Sequence, residues 1–186
     1  MILPIYTFGQ PVLRQEAEEI DKDYPELTQL IKDMYETLER SEGIGLAAPQ
    51  VGLPIRLAII NLDPISEDMP EYKGYAKTFI NPYIEEYDET ETDTMEEGCL
   101  SLPGIHEKVK RPTRIRVSYQ DEQFQEHDER VTGYLARVMQ HEFDHLDGVV
   151  FTDHLKGLRR QLTNPKLQDI RKGKFSCNYK VKVKLH

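Results

Sequence analysis

The stretch His141-Glu142-Phe143-Asp144-His145 restricts this 186-residue chain more than any other. On a helix, residues i and i+4 share one face with Cβ atoms about 5–6 Å apart, so both imidazoles can reach a single cation. Glu142 lies about 100° around the helix from His141, beside that cation, where it can work on a bound water. The residues just before, Tyr134 to Met139, are nearly apolar all round. That pattern predicts a buried helix from about Thr132 to Asp147, with Thr132 as N-cap and Gly148 as the residue past its C-terminus. Two histidines and a glutamate inside such a helix need partners for their polar atoms, and a metal ion provides one.

The rest of the ligand set is narrowed by elimination. One zinc-protease pattern continues H-E-x-x-H-x-x-G-x-x-H, and the chain follows it through Gly148, but Phe151 stands where the third histidine belongs. Another takes a glutamate from further downstream, and no glutamate follows Glu142. Asp147, Asp153 and His154 stay open as ligands. Upstream, Glu97-Gly98-Cys99-Leu100-Ser101 offers a soft thiolate next to a glycine that lets backbone come close to an ion. Cys99, His141 and His145 would leave a fourth position for water, the mark of a catalytic rather than a structural site. Cys177 has no comparable neighbours and is expected to be structural.

Other function classes recede on composition. Two cysteines cannot build a disulfide scaffold, and a free functional thiol points to a reducing cytoplasm. The longest aliphatic run, Leu57 to Ile60, is far short of the roughly 20 residues of a membrane span. The opening Met1-Ile2-Leu3-Pro4 has no signal-peptide character. Residues 1–153 hold 14 Lys/Arg against 32 Asp/Glu, whereas His154 to His186 hold 10 Lys/Arg against Asp169 alone. An acidic body argues against DNA binding, while the basic tail from about 154 could meet RNA or an acidic partner.

Periodicity predicts an amphipathic helix from about Asp23-Tyr24-Pro25, with Leu27, Leu30, Ile31, Met34, Tyr35 and Leu38 on one stripe, ending before Ser41. Arg56 to Leu62 reads as a buried strand, Ile65 to Gly74 as a loop, and Phe79–Ile84 and Glu85–Thr94 as edge strands. Ile115, Val117 and Tyr119 alternate as a half-buried strand. A shorter helix is expected to start at Asn164-Pro165, and Tyr179, Val181, Val183 and Leu185 alternate with lysines as a strand. Together these predict one α+β domain over 1–186, with mostly antiparallel sheets packed around a central helix carrying the histidines.

A third motif, Gly43-Ile44-Gly45-Leu46-Ala47-Ala48-Pro49-Gln50, matches a dinucleotide fingerprint by spacing but follows a helix instead of a strand, and Pro49 interrupts the helix it should open. It reads as an extended loop that approaches a ligand and ends in an amide donor, Gln50. These three motifs, in this order, resemble the peptide deformylase family, with its G-x-G-x-A-A-x-Q loop, E-G-C-x-S segment and H-E-x-x-H helix. Gly9 to Arg14 is similar to the family's N-terminal segment, and the resemblance covers about residues 1–155.

The resemblance implies a metal-dependent hydrolase that removes the formyl group from the N-terminal methionine of newly made polypeptides. It implies Fe(II) as the native metal on Cys99, His141 and His145, with zinc, nickel or cobalt as alternatives. Glu142 would move the protons, and Gln50 with the Leu100 N–H would stabilise the oxyanion. Ile44, Gly45, Gly98, Tyr134 and Val138 would bind the substrate, with the stem of Arg137 in the pocket wall and its charged head outward. His106 stands where some members carry an arginine near the peptide entrance. Glu97 and Arg111 are expected to pair beneath the site, and the basic tail to contact the ribosome. A general zinc endopeptidase and a metal-free cysteine hydrolase are the competing activities.

Overall fold

Leu57 to Ile60 is buried on both faces, because its strand is held between two helices. The computed structural model describes residues 1–183. In chain order its elements are β1 (Ile5–Tyr6), α1 (Leu27–Arg40), β2 (Gly45–Ala47), β3 (Leu57–Asn61), β4 (Ala76–Tyr87), β5 (Thr92–Cys99), β6 (Leu102–Pro112), β7 (Arg114–Gln120), β8 (Glu126–Thr132), α2 (Gly133–Leu146), α3 (Gly157–Arg171) and β9 (Val181–Lys182). An antiparallel five-stranded sheet runs β2-β3-β4-β7-β8, β5 and β6 form a separate antiparallel hairpin, and β1 pairs with β9 in parallel.

Side chains alternate across a strand. Leu57 and Ile59 therefore pack with Ile31, Met34 and Leu38 of α1. Ala58 and Ile60 face the other way, into a cluster with Met139 and Phe143 of α2. On that side Phe79 meets Tyr119 and Phe143 edge-to-face, with centroids 4.8 and 5.4 Å apart. A third cluster joins Leu167 and Ile170 of α3 to Leu102, Ile105 and Val109 of β6. The mixed fold with antiparallel sheets is the one expected, and α2 covers the predicted span almost residue for residue.

Several local expectations are corrected. The first helix starts at Leu27, because Glu26 has φ 58° and cannot be part of a right-handed helix. β4 is one strand through Pro82 and lies in the middle of its sheet, not at an edge. Proline is tolerated there because the register shifts between Ile80 and Tyr83. Asn81, with φ 50°, bonds both backbone groups of Ile20 at the bulge (2.9 and 2.8 Å). The glycine-rich segment is an edge strand, β2, followed by a 3-10 turn over Ala48–Val51, rather than an extended loop. Two more 3-10 turns, Asp63–Ile65 and Pro70–Tyr72, interrupt the expected loop. Pro165 lies inside α3 rather than at its start. Of the expected tail strand only Val181–Lys182 forms a ladder, and Leu185 lies outside the described residues.

Candidate metal centre

Helix α2 presents His141 and His145 one turn apart, with ring centroids 5.4 Å from each other. Cys99 is the last residue of β5, and the hairpin turn that follows brings its sulfur to 3.4 Å from His145 Nε2. The ligand atoms of Cys99, His141 and His145 all lie within 4.8 Å of one another. One thiolate and two imidazoles suit a divalent transition metal. Glu142 Oε2 and His145 Nδ1 are buried with no hydrogen-bond partner among the described residues. The residues present therefore fit a bound cation.

Electrostatics favour the same arrangement. Burial and the neighbouring His141 push His145 well below its ordinary pKa, so it is a neutral imidazole ready to ligate. Burial also pushes His141 down, but hydrogen bonds to Cys99 and Glu97 outweigh it and hold it well above the usual value. A cation held by Cys99 and the two imidazoles would compete with protonation of His141. Its Nδ1 lies 2.8 Å from Glu97 Oε1, which orients the ring and leaves Nε2 for the ion. Burial drives the Glu142 carboxyl up to about 7, with His141 opposing, and a bound cation would draw it back toward the ionised form.

Glu97 is the hub beneath the ligands. Arg111 bonds it through two nitrogens, at 2.6 and 2.9 Å, as the expected ion pair requires. Arg137 bonds it as well, at 2.6 Å, and reaches the Val109 carbonyl and Asp93. The expected outward head of Arg137 is therefore corrected: the side chain is buried, because the carboxylates beneath the site attract the guanidinium inward. Burial pushes the Glu97 carboxyl up, but His141 and Arg111 overcome it and hold it far below the carboxylate range.

Gln50 sits in the turn after β2, and its Oε1 accepts the Ala47 N–H at 2.9 Å. That bond points its NH₂ at Ser101 Oγ and Cys99 Sγ, at 3.2 and 3.4 Å. A cleft of about 550 Å³ opens over the site, lined by Ile44, Gly45, Gln50, Gly98, Cys99, Leu100, Tyr134, Val138, His141 and Glu142. The structure thus brings every sequence-predicted site residue together: His145 completes the ligand triad, and the others line the cleft. His106 lines it also, 3.8 Å from Glu96. Cys177, expected to be structural, is exposed at the cleft instead, because the tail folds back over it.

The family model described as polypeptide deformylase matches residues 2–161. The chain belongs to the polypeptide deformylase family. A peptide deformylase of Flavobacterium psychrophilum is 46% identical over 98% of this chain and 97% of its own length. One of Chlorobaculum parvum is 40% identical over 97% and 94%. The crystal structure of peptide deformylase from Thermus thermophilus superposes with a TM-score of 0.78 at 38% identity, covering 90% of this chain and 96% of that one. This deformylase is accordingly a metal-dependent hydrolase that removes the N-formyl group from nascent polypeptides.

Three contributors to the site were not singled out from the sequence. Ser101 receives the Gln50 amide. Phe151 stacks on His141, with centroids 5.7 Å apart and planes 25° apart. Tyr179 donates to the Leu100 carbonyl at 2.6 Å. The serine could have been found from its place in the E-G-C-x-S segment. The other two carry no local signal.

Proposed function

We propose that Cys99, His141 and His145 hold one divalent ion, Fe(II) in the native protein with zinc, nickel or cobalt able to replace it, and that the remaining cleft residues carry out deformylation around it. When bound, such an ion lowers the pKa of a water it holds from 15.7 toward about 7. Glu142 accepts a proton from the attacking water and delivers it to the departing amine nitrogen. Gln50 Nε2 and the Leu100 N–H donate to the formyl oxygen as its negative charge develops; removing one such donor typically costs on the order of 10²–10³ in turnover. Tyr134, Val138 and Ile44 enclose the methionine side chain, while the backbone of Gly45 and Gly98 aligns the extended peptide.

One observation carries this reading: Glu142 Oε2 is buried with no hydrogen-bond partner among the described residues, on the same helix as two members of a thiol-and-imidazole triad whose ligand atoms lie within 4.8 Å of one another. Anaerobically prepared protein, assayed for formate release from a formyl-Met peptide alongside elemental analysis, tests it. Glu142→Gln should keep the metal and lose nearly all turnover; a variant with wild-type turnover would end the assignment. Chelation should abolish formate release, and Fe(II) should restore more than zinc. Activity that survives chelation would favour the cysteine-hydrolase chemistry instead.

We further infer a single catalytic domain over 1–186 acting in the cytoplasm on N-formylmethionyl nascent chains at the ribosome. A thiol ligand supports a reducing compartment. No described helix is long and apolar enough to cross a membrane. Basic α3, with Leu158 and Leu162 exposed on it, supports a ribosomal contact. Cosedimentation with ribosomes should weaken steeply between low and high salt. Salt-insensitive association would speak against the basic segment.

A further inference from the structure

We propose that Tyr179 is a positioning residue for deformylation: by holding the Leu100 carbonyl, its hydroxyl braces, from the far end of the chain, the hairpin turn that carries the Leu100 N–H beside the cleft. The proposal rests on the reading of that N–H as an oxyanion donor. Leu100 and Ser101 are the two central residues of the β5–β6 hairpin, whose register closes at Cys99 and Leu102. Two-residue hairpins favour turns with positive φ at the first or both central positions, since these match the strand twist. Neither Leu100 nor Ser101 has positive φ, and the register shifts just before the turn, between Gly98 and Cys99. The local sequence therefore does not fix this turn.

Outside contacts fix it instead. The Phe8 N–H, just after β1, donates to the Ser101 carbonyl at 2.9 Å. Tyr179, just before β9, donates to the Leu100 carbonyl at 2.6 Å. Gln50 donates to the Ser101 hydroxyl at 3.2 Å. The parallel β1–β9 pair, sealed by Ile5 N–H to Lys180 O at 2.9 Å, ties the first two anchors to each other. Burial pushes the Tyr179 phenol well up, which keeps it a donor throughout the working range. Tyr179 also lines the cleft with Ser176, Cys177 and Asn178, so the tail is part of the site it braces.

Tyr179→Phe keeps the ring and deletes only the donor. It should fold, retain its metal, and exchange the amide hydrogens of residues 99–102 faster than the wild type. Its kcat for formate release from a formyl-Met tripeptide should fall about tenfold with KM within about twofold, less than the loss of a donor itself. Unchanged amide exchange would overturn the proposal, as would faster exchange with unchanged kcat, because the ring alone would then account for the residue. Loss of metal would overturn it too, by moving the effect to the ligands. Gln50→Ala, assayed in parallel, separates the two levels. If it loses about 10²-fold or more while Tyr179→Phe is silent, only the tail proposal fails. If both variants turn over like the wild type, the oxyanion reading fails and takes this proposal with it.

Discussion

Gly45 shows how finely single residues set the chemistry. A Cβ built there would lie 2.5 Å from Glu142 Oε1 and 2.7 Å from its Cδ and Cγ. Gly45→Ala should therefore push the carboxyl aside while leaving the metal ligands alone. We expect full metal content with kcat down by roughly 10²-fold, the scale of a misplacement near 1 Å; full activity would mean Glu142 has another rest position. Arg137 gives a stability prediction. Arg137→Met removes one of two guanidinium partners from buried Glu97 and should cost about 3 kcal/mol, read from the urea midpoint at constant slope. The grouping of Cys99, His141 and His145, which could hold a metal, was legible in the sequence because the two histidines are one helical turn apart and Cys99 lies in the glycine-containing segment upstream. The inward turn of Arg137 was not, since its carboxylate partner is 40 residues upstream.

The elements divide in the same way. α2 was readable nearly end to end because its apolar periodicity and the glycine past its C-terminus are local, although Thr132 sits at the N-cap without a side-chain capping bond. Past its end, Gly148 has φ 74°, and an added Cβ would meet the Arg14 carbonyl at 2.8 Å. Gly148→Ala should thus combine backbone strain with a clash, costing about 2 kcal/mol or more by denaturant titration. Pro82 misled for the opposite reason. A proline in a strand usually marks an edge, but Asn81 supplies the bulge that admits it to the middle of the sheet. Pro165 likewise resembled a helix start, whereas Leu167 and Ile170, packed on β6, pay for the missing backbone bond in α3.

Across the molecule, the N-terminal segment is clamped to the region after α2. Arg14 binds Asp153 through two nitrogens at 2.6 and 3.2 Å and reaches the Gly148 carbonyl at 3.1 Å. Burial pushes the Asp153 carboxyl up, but Arg14 and the Val150 N–H hold it below its ordinary value of 3.8. A depressed folded pKa contributes stability above the unfolded value and loses it as pH falls through the folded one. The stability gap between wild type and Asp153→Asn should therefore be full at neutral pH and close at steps below 3.8. A gap independent of pH would show that this carboxylate carries no linkage.

What the sequence determined by itself was the chemistry of short spacings: two imidazoles and a carboxylate on one helix, a thiolate beside a glycine, an amide donor closing a glycine-rich segment. Such patterns follow from helix and turn geometry over a few residues, so they are visible before any packing is known. Tertiary structure alone decided which groups orient those residues: Glu97 under His141, Phe151 against its ring, and Tyr179 on the Leu100 carbonyl, 79 residues away. Contacts of that range leave no periodicity in the chain, because they arise only when separate elements bury their faces together.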